Sequence, residues 1–228
     1  MKKTILITIT GSLMALTLPA LSANTIIAGQ TVAPDSFSVV DGLTLLAATS
    51  AQTVDPVPGS SFDSTYTEYV YSDDGGVAGA GLCTGCLDFF IVLNNAGPGV
   101  IEHVTTSLAP GFSGFTTDVG VNSSSIAGGP AAGGISPLDV DRSSDGAVID
   151  FNYGSNNLLS GQTTASLEIQ TDATSYVAGT VSVQDGVSGF ADGFAPATPE
   201  PGTLALLGFG LIGLGAVRFK TRRKSAQE

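Results

Sequence analysis

The chain has 228 residues and a formal net charge of −12, with an isoelectric point near 4.1, and only 12% of its residues are charged. A chain this acidic repels nucleic-acid phosphates, which excludes a DNA- or RNA-binding protein. Hydrophobic residues make up 43% of the chain, which is too high a share for an acidic disordered tail. The length predicts one domain of ordinary size.

The charge is divided between three segments of the chain. Seven of the eight basic residues lie at the two ends, whereas residues 24–198 hold 18 acidic residues and a single cation, Arg142. The middle segment therefore carries −17. We interpret the two ends as export signals and the middle as the part that works outside the cell.

Residues 1–23 have the pattern of a secretory signal peptide. Lys2 and Lys3 precede an uncharged apolar stretch, and small residues follow it. Cleavage after Ser22 fits the small-x-small rule, and cleavage after Ala23 is the alternative. The pattern predicts export across the inner membrane with signal peptidase as a partner, and an uncleaved anchor is the competing interpretation.

The middle segment, residues 24–190, predicts an all-β secreted domain. Residues 147–153, 165–170 and 176–183 alternate apolar and polar side chains, which is typical of strands with one buried and one solvated face. The nearly solid apolar run 87–93, in which Asp88 is the one charged residue, predicts a strand buried on both faces. Two further strand candidates lie at 64–71 and 100–108.

The turns between these segments predict how the strands are arranged. About eight strands separated by Asp-Gly and Asn-Gly-rich turns favour an antiparallel β-sandwich of the jelly-roll or Greek-key kind. The glycine-rich residues 109–138 are expected to form long loops, and the composition of residues 191–198 predicts a linker.

The C-terminal residues 199–228 contain three distinctive parts. Pro199, Glu200 and Pro201 come first, and the uncharged apolar stretch of about residues 203–219 follows. As a helix this stretch would span about 25 Å, enough for a transmembrane helix whose flanking cations snorkel. A basic cluster then predicts a cytoplasmic tail that stops transfer, and it consists of Arg218, Lys220, Arg222, Arg223 and Lys224.

The order of these three parts resembles the PEP-CTERM sorting signal of Gram-negative bacteria, over residues 198–228 only. The resemblance implies an exosortase, a membrane protease-transpeptidase, that recognises the Pro-Glu-Pro segment. The tail would anchor the protein transiently in the inner membrane and then be removed, which leaves the protein at the cell surface or in the extracellular matrix. The resemblance also implies a link to exopolysaccharide or biofilm. An ordinary single-span anchor would leave the Pro-Glu-Pro segment unexplained.

Residue types that carry chemistry are few in this chain. Cys83 and Cys86 are its only cysteines, and in an exported protein they predict a local disulfide, with free thiols or a redox or metal role as alternatives. His103 is the single histidine, and no Gly-x-Ser-x-Gly pattern accompanies it, so a triad hydrolase is not expected. The spacing at residues 208–213 matches a dinucleotide-binding motif but lies inside the predicted membrane helix, which excludes that function.

An acidic segment provides candidate ligands for Ca²⁺. Asp139, Asp141 and Asp145 offer carboxylate oxygens to Ca²⁺ in what the sequence suggests is a loop. The segment departs from the EF-hand pattern, because Gly146 comes at the eighth position rather than the sixth. A turn without a metal is the alternative interpretation, and no other cofactor is expected.

These observations favour a non-enzymatic surface or matrix protein. The alternative is a secreted module that binds Ca²⁺ or polysaccharide. The chain has no tryptophan, 5 tyrosines and 11 phenylalanines, which limits the aromatic platforms that sugar-cleaving and sugar-binding clefts use. A clustered tyrosine and phenylalanine patch on one sheet would favour the binding module.

Overall fold

The computed structural model describes residues 25–38, 42–54, 62–74, 82–106, 111–126 and 128–198. The predicted signal peptide, Pro199–Pro201, the predicted membrane helix and the basic cluster lie outside these residues. Within them the chain forms one short 3₁₀ helix, Gly154–Asn156, and the strands β1 Thr31–Val32, β2 Asp35–Phe37, β3 Leu43–Ala48, β4 Gln52–Val54, β5 Ser64–Asp73, β6 Leu87–Asn95, β7 His103–Thr106, β8 Thr117–Asn122, β9 Asp139–Arg142, β10 Ile149–Asn152, β11 Ser166–Thr171, β12 Tyr176–Gln184 and β13 Ser188–Pro196.

The strands form two sheets. Sheet I has the order β1-β9-β10-β7-β12-β13, and sheet II has the order β2-β8-β11-β6-β5-β3 with β4 also paired to β5. Every pairing is antiparallel except that of β2 with β8. No helix in the described ranges is long and apolar enough to cross a membrane.

One hydrophobic core lies between the two sheets. Sheet II contributes Phe89 and Ile91 from β6, and sheet I contributes Val104 and Phe151, all fully buried in one cluster. Val104 and Phe151 alternate with polar residues along their strands, because successive side chains of a strand point to opposite faces, whereas in β6 the apolar Phe90 lies between Phe89 and Ile91. The all-β prediction is therefore confirmed, with two mainly antiparallel sheets that share a core.

Three segments differ from their sequence-based predictions. Residues 117–122, expected in a long glycine-rich loop, form β8 in the interior of sheet II. Residues 139–142, expected in an acidic loop, form β9, because Val140 and Arg142 point inward while the two aspartates point outward. Residues 191–196, expected in a linker, belong to β13, where small side chains such as Ala191 and Ala195 face the core.

Candidate functional site

The outward side of sheet I, which we call the open face, carries half-buried or exposed side chains on all six strands. Direct cross-strand pairing aligns one row across the sheet, in the order Thr31, Asp141, Asp150, Thr105, Ser182 and Phe190. A second row beside it contains Asp139, Asn152, His103, Gln184 and Ser188. The open face therefore presents carboxylates, hydroxyls, amides and one imidazole to solvent.

The histidine on the open face is bound to a carboxylate. His103 Nδ1 lies 2.9 Å from Asp150 Oδ2, and Thr105 Oγ1 donates to Asp150 Oδ1 at 3.0 Å. Burial raises the pKa of Asp150, while the neighbouring His103 lowers it. A His–Asp pair needs a hydroxyl or thiol nucleophile for triad chemistry, and the Ser182 hydroxyl on the next strand makes no hydrogen bond within the described ranges of the chain.

The structure separates the three predicted metal ligands. Asp139 and Asp141 lie on the open face, and the Asp141 carboxylate accepts a hydrogen bond from Thr31 Oγ1. Asp145 instead closes the turn after β9, where its Oδ1 accepts from Ser143 Oγ at 2.5 Å and from the Ala147 backbone at 3.0 Å. These hydrogen bonds lower the pKa of Asp145. The described residues contain no group of three or more His, Cys, Asp or Glu side chains that could hold a metal.

Aromatic side chains lie at the β12–β13 edge of the open face. Tyr176 and Phe194 contact each other edge to face, with ring centroids 5.4 Å apart. Phe190, two residues before Asp192 on β13, is 65% exposed. Tyr176 and Phe194 are half-buried and also pack against the hydrophobic core, so of these three rings only Phe190 is largely exposed, and they do not form the clustered surface patch expected of a binding module.

The outward side of sheet II, which we call the covered face, holds carboxyl groups that are withdrawn from solvent. Asp88, Asp118 and Glu168 are each at most 1% exposed, and Ile126, from the segment after β8, packs over this side against Tyr71. Burial raises the pKa of Glu168 to about 7 and that of Asp118 to about 6. Burial, together with Glu168 and Asp73, raises the pKa of Asp88 well above its usual range.

Only some of these buried carboxyl groups have hydrogen-bond partners. Glu168 accepts from Asn122 Nδ2 at 3.0 Å and from Gln170 Nε2 at 2.8 Å. Neither carboxyl oxygen of Asp88 has a hydrogen-bond partner among the residues that the structure describes. Glu168 and Gln170 alternate with apolar residues and were predicted to face water, but β11 is buried along its whole length.

A further buried carboxyl group joins the two sheets. Glu68 on β5 is fully buried, and its Oε2 accepts a hydrogen bond from the Tyr66 hydroxyl and another, at 2.8 Å, from the Phe194 backbone N–H on β13. Burial raises the pKa of Glu68 to about 7. Gly193 allows this contact, since a Cβ there would lie 2.5 Å from Glu68 Oε2.

Arg142, the lone cation of the middle segment, points into the protein. Its guanidinium donates to four backbone carbonyl groups at 2.7–3.0 Å, those of Ile26, Phe112, Phe115 and Gly146. Only 7% of the residue is exposed, and burial lowers its pKa. Arg142 therefore holds three segments of chain together and is not available to an external ligand.

The two cysteines lie in the turn between β5 and β6. Their Cα atoms are 5.2 Å apart, within the range that disulfides use. The Cys86 N–H donates to the Cys83 carbonyl at 3.0 Å, and Asp73 N–H donates to the Cys86 carbonyl at 2.9 Å, which ties the turn to the end of β5. This geometry fits a local structural role, and the disulfide stays a prediction.

A cleft of about 540 Å³ opens where the segment before β9 meets the segment between β10 and β11. Most of the side chains that line it are neutral and polar, and the principal ones are Ser136, Ser155, Asn156, Asn157, Leu159 and Gln162. No sequence motif marks this cleft, because two loops without a recognisable pattern form it. The only signal was the adjacent pair Asn156 and Asn157, which is also common in turns.

Comparison with known families identifies the C-terminal segment. A family model described as the PEP-CTERM protein-sorting motif matches residues 197–223. The matched range includes the Pro-Glu-Pro segment and the apolar stretch, which confirms the resemblance. No curated protein and no solved structure matches the chain. The chain carries a PEP-CTERM sorting motif, which indicates an exported protein that an exosortase processes.

Proposed function

We propose that this protein is a non-enzymatic component of the cell surface or extracellular matrix, delivered by its C-terminal sorting motif and associated with exopolysaccharide or biofilm. The exported part would be the β-domain, folded as a sandwich of sheets I and II. The tail would anchor the protein in the inner membrane before an exosortase removes it and releases the domain.

One observation carries this proposal: the end of the domain adjoins the start of the motif. Strand β13 ends at Pro196, and the match to the sorting motif begins at residue 197. The described strands thus precede the motif completely. Removal of the motif would leave every described strand pairing intact, as expected of a segment that serves only delivery.

The features of the domain support a structural or binding role. Its lone central cation, Arg142, binds backbone carbonyl groups inside the domain. The Ser182 hydroxyl makes no hydrogen bond to His103, and the Asp88 carboxyl group is buried. Within the described part of the chain, these three groups are therefore occupied, without a hydrogen-bond partner or buried. Enzymes instead place such groups together in an accessible cleft.

The sorting part of the proposal is tested by deletion of Pro199–Pro201 in a host that has an exosortase. We expect the variant to be retained in the membrane fraction at full length, because the enzyme no longer recognises the segment. The wild-type protein should appear outside the cell, shortened at both ends. Cell fractionation with intact-mass measurement reads out both results.

Two controls accompany this deletion. Ser225→Ala changes the tail beyond the basic cluster and should leave release unchanged. In a host whose exosortase gene is deleted, the wild-type chain should be retained in the membrane fraction like the variant. If the protein is released normally without Pro199–Pro201, the proposed delivery route is wrong.

A further inference from the structure

The described chain begins beside a buried carboxyl group of the covered face. Thr25 forms an isolated antiparallel bridge with Asp118 on β8, and the Ile26 N–H donates to the Thr117 carbonyl at 2.9 Å. Residues directly opposite each other in an antiparallel pair have Cβ atoms about 5 Å apart. The start of the described chain is therefore fixed to β8, with Asp118 as the immediate neighbour of Thr25.

The surroundings of Asp118 are acidic. The bridge is antiparallel, so the chain before Thr25 is directed along β8 toward Gly120, which pairs with Asp35 on β2. Burial raises the pKa of Asp118 to about 6, and the negative charge of Asp35 adds to this rise. Glu168 on the neighbouring β11 is a further acidic group close to Asp118. At neutral pH the ionised Asp118 is thus a buried charge among acidic groups, which is a costly state unless a cation pairs with it.

Few cations are available for this purpose in the exported domain. Residues 24–198 contain no lysine, and their single arginine, Arg142, already binds four backbone carbonyl groups. Removal of the signal peptide after Ser22 or Ala23 would create one further cation, the α-ammonium group of the new first residue. This group would lie one or two residues before Thr25, and at about 3.6 Å per residue it would be within about 7 Å of that residue.

We infer that Asp118 forms an ion pair with the chain's own α-ammonium group once the signal peptide has been removed, and that this pair stabilises the mature domain. The chain itself carries the ammonium group to β8, so the contact does not require Asp118 to be open to solvent. Cleavage would then complete the fold of the domain as well as separate it from the signal peptide. The inference goes beyond the proposed function, because it depends on the signal peptide and not on the sorting motif.

The test is chemical modification of the exported protein, purified from its host. Because residues 24–198 contain no lysine, acetylation of this domain is directed to its α-amine. Acetylation removes the positive charge, whereas reductive dimethylation of the same nitrogen retains it and is the matched control. At pH 7 we expect acetylation to lower Tm by about 3 to 8 °C and dimethylation to leave Tm unchanged. Intact-mass measurement gives the first residue of the chain and the number of groups added.

A second measurement does not depend on stability. The pH dependence of the acetylation rate gives the pKa of the α-amine, which should lie above the usual range of about 7.7–8.0 because a neighbouring carboxylate favours the ammonium form. Asp118→Asn should return this pKa to the usual range. Asp141→Asn, which removes a carboxylate from the open face instead, should leave it raised.

The same variants test the coupling between the amine and the carboxylate. Acetylation should no longer lower Tm in Asp118→Asn, whereas it should lower Tm in Asp141→Asn as in the wild type. If Asp118→Asn does not fold, the pKa of the wild-type amine decides the matter. The inference is overturned if acetylation leaves Tm unchanged, if dimethylation lowers Tm equally, if the amine has an ordinary pKa, or if the mature chain begins elsewhere than at Ala23 or Asn24.

Discussion

The open face of sheet I and the covered face of sheet II both carry aspartate and glutamate, but in opposite environments. On the open face Asp141 and Asp150 remain in contact with water. On the covered face Asp88 and Glu168 are fully buried. On the covered face burial disfavours the charged form of these carboxyl groups, so their effect on folding should differ from that of the exposed ones.

This difference separates the groups that govern folding from those that meet the surroundings. The buried carboxyl groups of sheet II, together with Glu68, should determine how stability varies with pH. The exposed ones of sheet I should affect stability little and instead shape the electrostatic field of the surface. Substitutions of buried polar groups should thus change the stability of the domain much more than substitutions of exposed polar groups.

The largest effect of a single substitution is expected at Arg142, the buried cation. Arg142→Met keeps an unbranched side chain but leaves four carbonyl groups without their donor, so the free energy of unfolding should fall by at least about 3 kcal/mol. Arg142→Lys should give a smaller loss, since an ammonium cannot reach all four acceptors. Urea denaturation measures both, and a loss below about 1 kcal/mol for Arg142→Met would contradict the role assigned to the guanidinium.

The second effect is a decline in stability as pH rises. Glu68 and Glu168 have pKa values raised from 4.5 to about 7 in the folded protein. Below pH 4.5 both states are protonated and stability is intact, whereas between pH 4.5 and about 7 the unfolded chain ionises first and stability is lost. The expected loss is about 3 kcal/mol for each glutamate. Denaturation midpoints across this pH range measure it, and a rise in stability would refute it.

Glu168→Gln isolates the contribution of one buried group. The amide stays neutral, so the variant should lose less stability than the wild type as pH rises from 4.5 to 7. At the acid end it should be slightly less stable, because one of two hydrogen bonds to Asn122 and Gln170 loses its acceptor. An unchanged pH profile would show that Glu168 does not titrate in this range.

The smallest effect is expected on the open face. Asp141 and Asp150 lie directly opposite each other on β9 and β10, and like charges in that position are destabilising. Asp141→Asn should therefore raise the free energy of unfolding by a few tenths of a kcal/mol. The gain should shrink in high salt, which screens exposed charges. A loss above about 1 kcal/mol would mean that this face is as sensitive as the covered one.

Sequence patterns predicted the strands correctly wherever the size and the polarity of the side chains both indicated a strand. The run 87–93 is buried on both faces because its apolar residues leave no face for water, and it forms most of β6. The pattern was misleading at Glu168, since a glutamate in alternation indicates a solvated face and nothing local reveals that another segment covers it. At 191–196 the alanine and glycine residues suggested a linker, although their small size is what lets β13 pack closely.

The candidate sites depend on contacts between residues that lie far apart in the sequence. Asp141 and Asp150 were recognisable as acidic residues, but their opposition arises from the register of β9 and β10. The cleft joins Ser136 to Gln162 across two strands and has no local signature. Only the sorting motif, which acts as a linear segment, could be recognised completely from the sequence.

The position of β13 also limits where processing can occur. Pro196 is the last residue of a strand paired along its whole length with β12, and the Pro-Glu-Pro segment begins three residues later. A fully extended chain covers at most about 3.6 Å per residue, so this tether is on the order of 10 Å long. An enzyme that cuts at Pro199–Pro201 must therefore bind close to the surface of the folded domain. Its active site must leave room for that domain.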